Sequence, residues 1–382
     1  MRFDLLLALL VSLASVACAP DTAASVDDPL VQEVIALVDA NTVPDASPAS
    51  PAARAVLVGE RRASTLADRL QLAGMQASLP TLTPEMRKAL RAQRALLQRQ
   101  RSSKTYVIDG LELRPRDFMQ VIDDLLSGAY LTEPLDGVSV SYQEPVKFTG
   151  YYSPEVRVRS KRSRKYRYPI LAYPKDHDGP LPVRSAIEGG KALPTEKLAI
   201  AWAAHALDVY TLQLQGSGFV RFEDGQRRYL AYAGTNRYPY QSIELALSRR
   251  DSTVTDLSLR GLREWVSAAP NVRDTITRFN PNYGFFKLSD GAARGAAGLA
   301  LQPMISVAAD PEFYPLGSVL IANVPVVNQP GTYRTQLLLV QDTGGAIKGS
   351  RHLDLYTGVG EAALDVAERT SMNGEVFLLS PR

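Results

Sequence analysis

The sequence predicts a mainly β protein behind an N-terminal helical extension. Three observations carry that expectation. Helical periodicity is concentrated between residues 64 and 137. From about residue 138 the texture changes to short alternating apolar segments broken by frequent Gly and Pro, the pattern of strands joined by turns. At 382 residues, with 45% hydrophobic and 22% charged side chains, the chain has the composition of a globular protein and length for two or three domains.

Taken in order, residues 1–18 read as a targeting segment. Arg2 supplies a positive start, and the apolar run 5–16 is too short to anchor a helix across a bilayer. Cys18, the only cysteine, follows directly and resembles the acylated cysteine of a bacterial lipoprotein signal. The resemblance implies a lipid anchor at Cys18 in the outer membrane, facing the periplasm, because Ala19 stands where an inner-membrane retention signal has aspartate. A soluble exported protein with a buried thiol is the alternative. One cysteine excludes an intramolecular disulfide. Residues 19–63, rich in Ala, Asp, Pro and Ser with a short amphipathic patch at 31–38, read as a tether.

Helices are expected at 64–77, 84–101 and 115–126. The second has Thr83 as N-cap, Pro84 in the first turn and Glu85 beside it. The third packs through Phe118, Met119, Val121, Ile122 and Leu125. The strongest strand signals are 138–142, 147–152, 219–222, 229–232, 319–324 and 336–340, with further helices at 195–204, 242–247, 257–267 and 362–370.

A net charge of +3 is too small to argue for a nucleic-acid partner. Seven basic residues nevertheless crowd into 157–167, the mark of an exposed loop or strand edge and an attraction for an anionic polymer. Asp176-His177-Asp178 lies between prolines and glycine and reads as a surface turn, so no metal site is expected, and no cofactor. Gly216-Ser217-Gly218 is not a nucleophile elbow, and three histidines in the chain make a serine triad a poor reading.

The segment from Asp342 to Tyr356 is the richest in chemistry. An apolar run, 337–340, ends just before Asp342, and Leu353 and Leu355 alternate around Asp354. Gly344 and Gly345 between the two acids let backbone approach a ligand closely. Carboxyl groups held at sheet ends suit proton transfer at a glycosidic oxygen. Two aspartates capping turns fit the local pattern equally well.

Six segments, in order, break that tie. They are Phe148 to Glu155, Gln213 to Gly218, Tyr232 to Asn236 with Pro239-Tyr240, Asn282 to Phe286, Ser306 to Asp310 with Pro315-Leu316-Gly317, and Asp342 to Tyr356. Together they resemble the murein transglycosylase A family, periplasmic lipoproteins that cut peptidoglycan glycan strands, and the last part is similar to the "3D" domain with its three aspartates, here Asp310, Asp342 and Asp354. The resemblance implies a double-psi β-barrel (138–154 and 271–382) interrupted by a second, smaller β-barrel domain (155–270), with a groove between them. The helical region 64–137 is larger than the family pattern leads one to expect, and Arg351 stands as an extra residue in the loop before His352.

The resemblance also implies the chemistry. Asp354 is the catalytic acid, then base, with Asp342 and Asp310 in support. Thr149, Gly150, Tyr151, Tyr152, Gln215, Gly216, Ser217, Gly218, Gly344 and Gly345 are the expected substrate-binding residues, with Tyr232, Tyr283, Phe285 and Phe286 as further stacking candidates. The two phenylalanines read first as core. The implied partners are peptidoglycan glycan strands and the outer membrane, for a monomer without nucleic acid. Two readings compete with transglycosylation: a hydrolase using Asp354 and Asp342 as a pair, and a non-catalytic, expansin-like wall-binding protein.

Overall fold

The computed structural model describes residues 66–381, apart from 73–74, 76–79, 101–103, 109, 130–134, 139–143, 251–254, 257, 269–274, 328 and 330. The expected signal, tether and Cys18 lie outside the described residues, as does most of the strand expected at 138–142. No described helix is long and apolar enough to cross a membrane.

The chain divides into two compact units. One takes the residues up to Gly150, Gly295–Tyr356 and Arg369–Arg382, and the other Tyr151–Arg294 and Thr357–Glu368. Among the described residues, sixteen strands carry most of both. In chain order they are β1 (Tyr106–Ile108), β2 (Leu111–Leu113), β3 (Asp136–Val138), β4 (Val146–Ser153), β5 (Glu155–Arg159), β6 (Tyr168–Leu171), β7 (Ala199–Ala203) and β8 (Gly218–Arg221). The remainder are β9 (Arg227–Thr235), β10 (Gly284–Ser289), β11 (Ser306–Ala308), β12 (Val319–Pro325), β13 (Tyr333–Asp342), β14 (His352–Val359), β15 (Ser371–Gly374) and β16 (Val376–Ser380). The predicted mainly β class is the observed one.

In the first unit an eight-stranded sheet runs β15-β4-β14-β11-β13-β12-β16-β3. It nearly closes on itself. β15 and β16 are separated only by Glu375, yet β15 pairs with β4 and β16 with β12 at the far side of the sheet. Asn323 N donates to Glu375 O at the corner (2.8 Å), and Gly374 packs so tightly on the Asn323 carbonyl that a Cβ there would collide with it. Closure of this kind removes exposed edges, and Val319, Leu320, Ile321, Leu337, Leu338 and Leu339 are core on both faces of their strands.

The helices Pro84–Gln98 and Pro115–Ser127 share that core, not one of their own. Met86, Leu90 and Leu97 from the first, and Phe118, Val121, Ile122 and Leu125 from the second, belong to the same buried cluster as the barrel strands. Thr83 caps the first helix through its hydroxyl to Met86 N (3.2 Å), as its sequence predicts. One polar residue is fully buried on this helix. Gln93 Nε2 donates to Gly317 O (2.7 Å) and Ser318 O (2.9 Å), and Gln93 Oε1 accepts from Gln341 Nε2 (3.0 Å). Gly317 has φ 98°, and Leu97 lies where a Cβ would be, so only glycine meets both demands.

The second unit has a six-stranded sheet ordered β10-β9-β8-β5-β7-β6. Here one expectation is corrected. Residues 195–204 do not form a helix: a single turn, Thr195–Leu198, leads into strand β7, and the helix lies later, at Ala206–Leu214. Alanine favours helix in isolation, but Ala201 and Ala203 sit on a strand held between β5 and β6 where only small side chains pack, and tertiary context overrides propensity. Phe285 and Phe286 are fully buried, as core residues should be.

Candidate active site

Three strands of the barrel sheet, β14, β11 and β13, lie side by side and set the two acids. Ala308 on β11 pairs with Asp354 on one side and Asp342 on the other. Directly paired residues point to the same face of a sheet, so the Asp354 carboxyl shares a face with the Ala308 methyl, while Asp342 is reached across a β-bulge between Val307 and Ala308. Two strand spacings, about 10 Å, separate the backbones of the two acids.

Asp354 is half-buried in the middle of β14. Thr149, on the adjoining strand β4, donates its hydroxyl to Asp354 Oδ1 (2.7 Å) and also lies 3.0 Å from His352 Nε2. His352 is two residues before Asp354 on the same strand, hence on the same face. Three polar side chains therefore form one line: imidazole, hydroxyl, carboxyl.

Their electrostatics differ in origin. Burial pushes the Asp354 carboxyl up to about 7, against the Thr149 hydrogen bond that favours the charged form, and the negative charge of Asp342 adds to the rise. Burial likewise pushes the His352 imidazole down to about 4, helped by the nearby Lys147 ammonium. The imidazole is therefore neutral at physiological pH. With the Thr149 proton on ionised Asp354, His352 Nε2 must carry the proton it donates to Thr149 Oγ1.

Asp342 does different work. Its Oδ1 accepts from Ala296 N (2.8 Å) and from its own neighbour Thr343 N (2.9 Å), which fixes the start of the Gly-rich loop. Asp310 is buried, 5% exposed, and its Oδ2 accepts from Gly349 N (3.0 Å) and Oδ1 from Glu312 N (3.2 Å). Tyr314 OH donates to Ser350 O (2.6 Å), so two side chains from the segment after β11 pin the far end of the same loop. Within the loop, Gly344 is packed on Ile347 too closely for a Cβ, whereas Gly345 is exposed with open space around it.

Gly150 follows Thr149 on β4 at the end of the first unit's segment, and the remaining expected binding residues lie in the second unit. Gln215 caps the helix Ala206–Leu214, and its Oε1 accepts from Tyr152 N (3.3 Å). Gly216, at φ 72°, ends that helix in the left-handed conformation glycine favours, and Gly218 begins β8 wedged against Leu212 and Pro154. Ser217 is half-exposed between them, and Tyr151 is half-exposed also. Tyr152 offers no stacking face, since its ring is buried with Ala363 and Leu364. Tyr283 is buried too, under the Arg184 guanidinium. Tyr232, 55% exposed, keeps an open ring.

His352 was not among the expected site residues, although strand alternation signals its position: residues two apart on a strand share a face. The contact of Gln93 with Gln341, the residue before Asp342, had a weaker signal. Met86, Leu90, Gln93 and Leu97 form one helical stripe, and an amide on an apolar stripe marks a buried polar link.

Comparison with known proteins follows this geometry. Residues 147–287 match the family model described as the MltA specific insert domain, and residues 305–380 match the 3D domain. The chain is 39% identical over 230 residues to the membrane-bound lytic murein transglycosylase A of Vibrio cholerae, covering 58% of this chain and 61% of that protein. It is 34% identical over 243 residues to the Escherichia coli protein of the same name, covering 61% and 65%. The matched region thus spans less than two thirds of the length of these relatives. Among solved structures, E. coli MltA with bound chitohexaose superposes with a TM-score of 0.65 at 27% identity, over 80% of this chain and 93% of that one.

Proposed function

We propose that this chain, which belongs to the MltA-type family with its specific insert and its 3D domain, is a lytic transglycosylase of peptidoglycan. Its substrate is the β-1,4 bond between N-acetylmuramic acid and N-acetylglucosamine. The observation that carries this reading is the placement of the Asp354 carboxyl on β14, in line with Thr149 and His352, where burial raises it to about 7.

A general acid must hold a proton at working pH and give it up during the reaction, and a group titrating near 7 does both. Asp354 protonates the departing N-acetylglucosamine oxygen as the glycosidic bond breaks. The C6 hydroxyl of the same muramic acid then attacks C1, and the Asp354 carboxylate takes its proton while the 1,6-anhydro ring closes. No water is consumed. Because the nucleophile is tethered to the reacting carbon, its effective concentration is high and no second carboxylate is needed to activate it. Thr149 and neutral His352 steady the carboxylate between the two steps.

The placement of Asp342 supports one working acid over an acid pair. Asp342 Oδ1 already accepts two backbone N–H groups, which ties its charge to the loop and weakens it as a base for activating water. Membrane attachment is part of the same proposal, with acylated Cys18 as the anchor in the outer membrane. The relatives that carry "membrane-bound" in their names support it.

Digestion of purified glycan strands followed by mass spectrometry tests the reaction. Anhydromuramic ends, lighter by one water than reducing ends, are expected. Reducing ends would establish hydrolysis instead, and no cleavage at all would favour a wall-binding protein. Asp354→Asn is expected to abolish clearing in a peptidoglycan zymogram, and unchanged clearing would overturn the assignment of Asp354. Cys18→Ser is expected to release the protein from the membrane fraction.

A further inference from the structure

The second unit carries a charged surface that the reaction chemistry does not use. Along β5 and the loop from it to β6 the chain places seven cations in eleven residues, 157–167, although its net charge is only +3. All seven are exposed. Glu223 acts on Arg159, but the nearby carboxylates are otherwise engaged. Glu155 is held by Arg221 and Arg227, each at 2.6 Å, and Glu223 is turned onto Ser160, accepting from its N and Oγ. No described carboxylate lies in ion-pair range of Arg157, Lys161, Arg162, Arg164 or Lys165.

The loop is also built to hold that charge in place. Ser163 and Tyr166 close a turn through Ser163 N to Tyr166 O (2.9 Å) and Tyr166 N to Ser163 Oγ (3.1 Å). The Tyr166 ring underlies Arg159 at 5.5 Å and Lys165 at 5.8 Å, Arg162 lies over Trp202 at 5.8 Å, and Arg167 donates to Tyr168 OH (2.8 Å). Aromatic rings position cations without cancelling them. Crowded like charges repel, so a surface that holds them together is most stable with an anion bound.

We propose that this loop docks the free carboxylates of peptidoglycan stem peptides, gripping the polymer through its peptides, not its sugars. The inference rests on the substrate proposed above, which presents such carboxylates at regular intervals along every strand. Repetition matters because exposed ion pairs are individually weak, and many weak contacts on one polymer add through effective concentration. A nucleic acid fits the whole chain poorly, given its near-neutral balance.

The test uses the full-length protein and the variant Lys161→Gln/Arg162→Gln/Arg164→Gln/Lys165→Gln, in three assays. In pull-down on intact sacculi the variant is expected to bind at least about tenfold more weakly at about 0.01 M salt, where the Debye length is about 30 Å. The difference should vanish at about 1 M, where it is about 3 Å. Glycan strands stripped of peptides by amidase are expected to be cleaved at equal rate by variant and native protein, which also shows that the variant folds. On vesicles containing anionic phospholipid, they should bind alike. Equal binding of both proteins to sacculi overturns the proposal, as does a loss confined to vesicles, which would assign the loop to a lipid surface. A variant that loses activity on stripped strands also overturns it. If the native protein makes no anhydromuramic ends while the variant still loses sacculus binding, the transglycosylase reading falls and this one stands.

Discussion

Replacing Asp342 by Asn tests how the working acid acquires its proton. Two backbone donors to Asp342, Ala296 N and Thr343 N, bind the same atom, Oδ1. The amide oxygen of Asn can accept both, so the substitution removes a charge and leaves the loop anchored. At a separation of about 10 Å and an effective dielectric constant of about 20–40, one charge acts on another with about 0.8–1.7 kcal/mol, or about 0.6–1.2 pK units. Without it the Asp354 carboxyl, now near 7, should titrate about 0.6–1.2 units lower, and its protonated fraction at pH 7 should fall from about half to between about 6% and 20%. The assay is kcat/KM on soluble glycan strands between pH 4.5 and 9, which reports the free enzyme. The basic limb is expected to move down by that amount, with a rate loss of about 2.5- to 8-fold at pH 7 and almost none at pH 5. A basic limb that stays in place shows that the Asp342 charge is not felt. A loss equal at every pH shows that Asp342 acts by placement alone. Either result refutes the reasoning.

The other expectations concern the same barrel. Asp354→Asn should cost at least about a hundredfold in rate and yet stabilise the fold at alkaline pH. A carboxyl whose folded pKa is raised contributes stability that is complete below its unfolded value and is lost as pH rises through about 7. The variant should therefore exceed the native protein by about 2–4 kcal/mol in urea unfolding at pH 8 and match it near pH 4; no gain at pH 8 would show that the carboxyl is not desolvated. Thr149→Val removes the hydrogen bond that favours the charged form of Asp354, so the basic limb of the rate profile should move up in pH, opposite to the Asp342 variant, and a downward move would reverse the assigned sign. Gln93→Leu strands two carbonyls and the Gln341 amide and should lower unfolding free energy by about 2–4 kcal/mol, while a neutral result in urea unfolding would show that the buried amide chain is dispensable.

What the sequence revealed of the site follows from which interactions are local. Asp354 was readable because strand alternation and the His352-to-Tyr356 pattern lie within five consecutive residues. Its proton donor in the line, Thr149, was readable only as part of a separate segment, since nothing in the chain states that β4 and β14 are neighbours. The distinct parts played by Asp342 and Asp310 were not readable, because each depends on which backbone N–H it meets, Ala296 and Gly349, across 46 and 39 residues. The fold divides in the same way. Well-capped helices such as Pro84–Gln98 announce themselves, whereas Ala199–Ala203 is a strand only because β5 and β6 flank it.

The helical extension gains a role from the same distance argument. Ser306 Oγ donates to Gln341 Oε1 (2.7 Å), Gln341 Nε2 donates to Gln93, and Gln93 holds the carbonyls of Gly317 and Ser318. Residues 306 and 341 sit on the two strands, β11 and β13, whose ends carry Asp310 and Asp342. A buried amide chain with every partner satisfied fixes strand ends more stringently than apolar contact, because any slip leaves a donor or acceptor unpaired at a cost of about 1–3 kcal/mol each. Apolar packing alone would tolerate such a slip. The helix Pro84–Gln98 therefore does more than cover the barrel: it locks the register that keeps Asp342 at its distance from Asp354. Loss of that lock should appear in the pH profile before it appears as unfolding, since a displacement of Asp342 changes the field at Asp354 while the hydrophobic core stays whole.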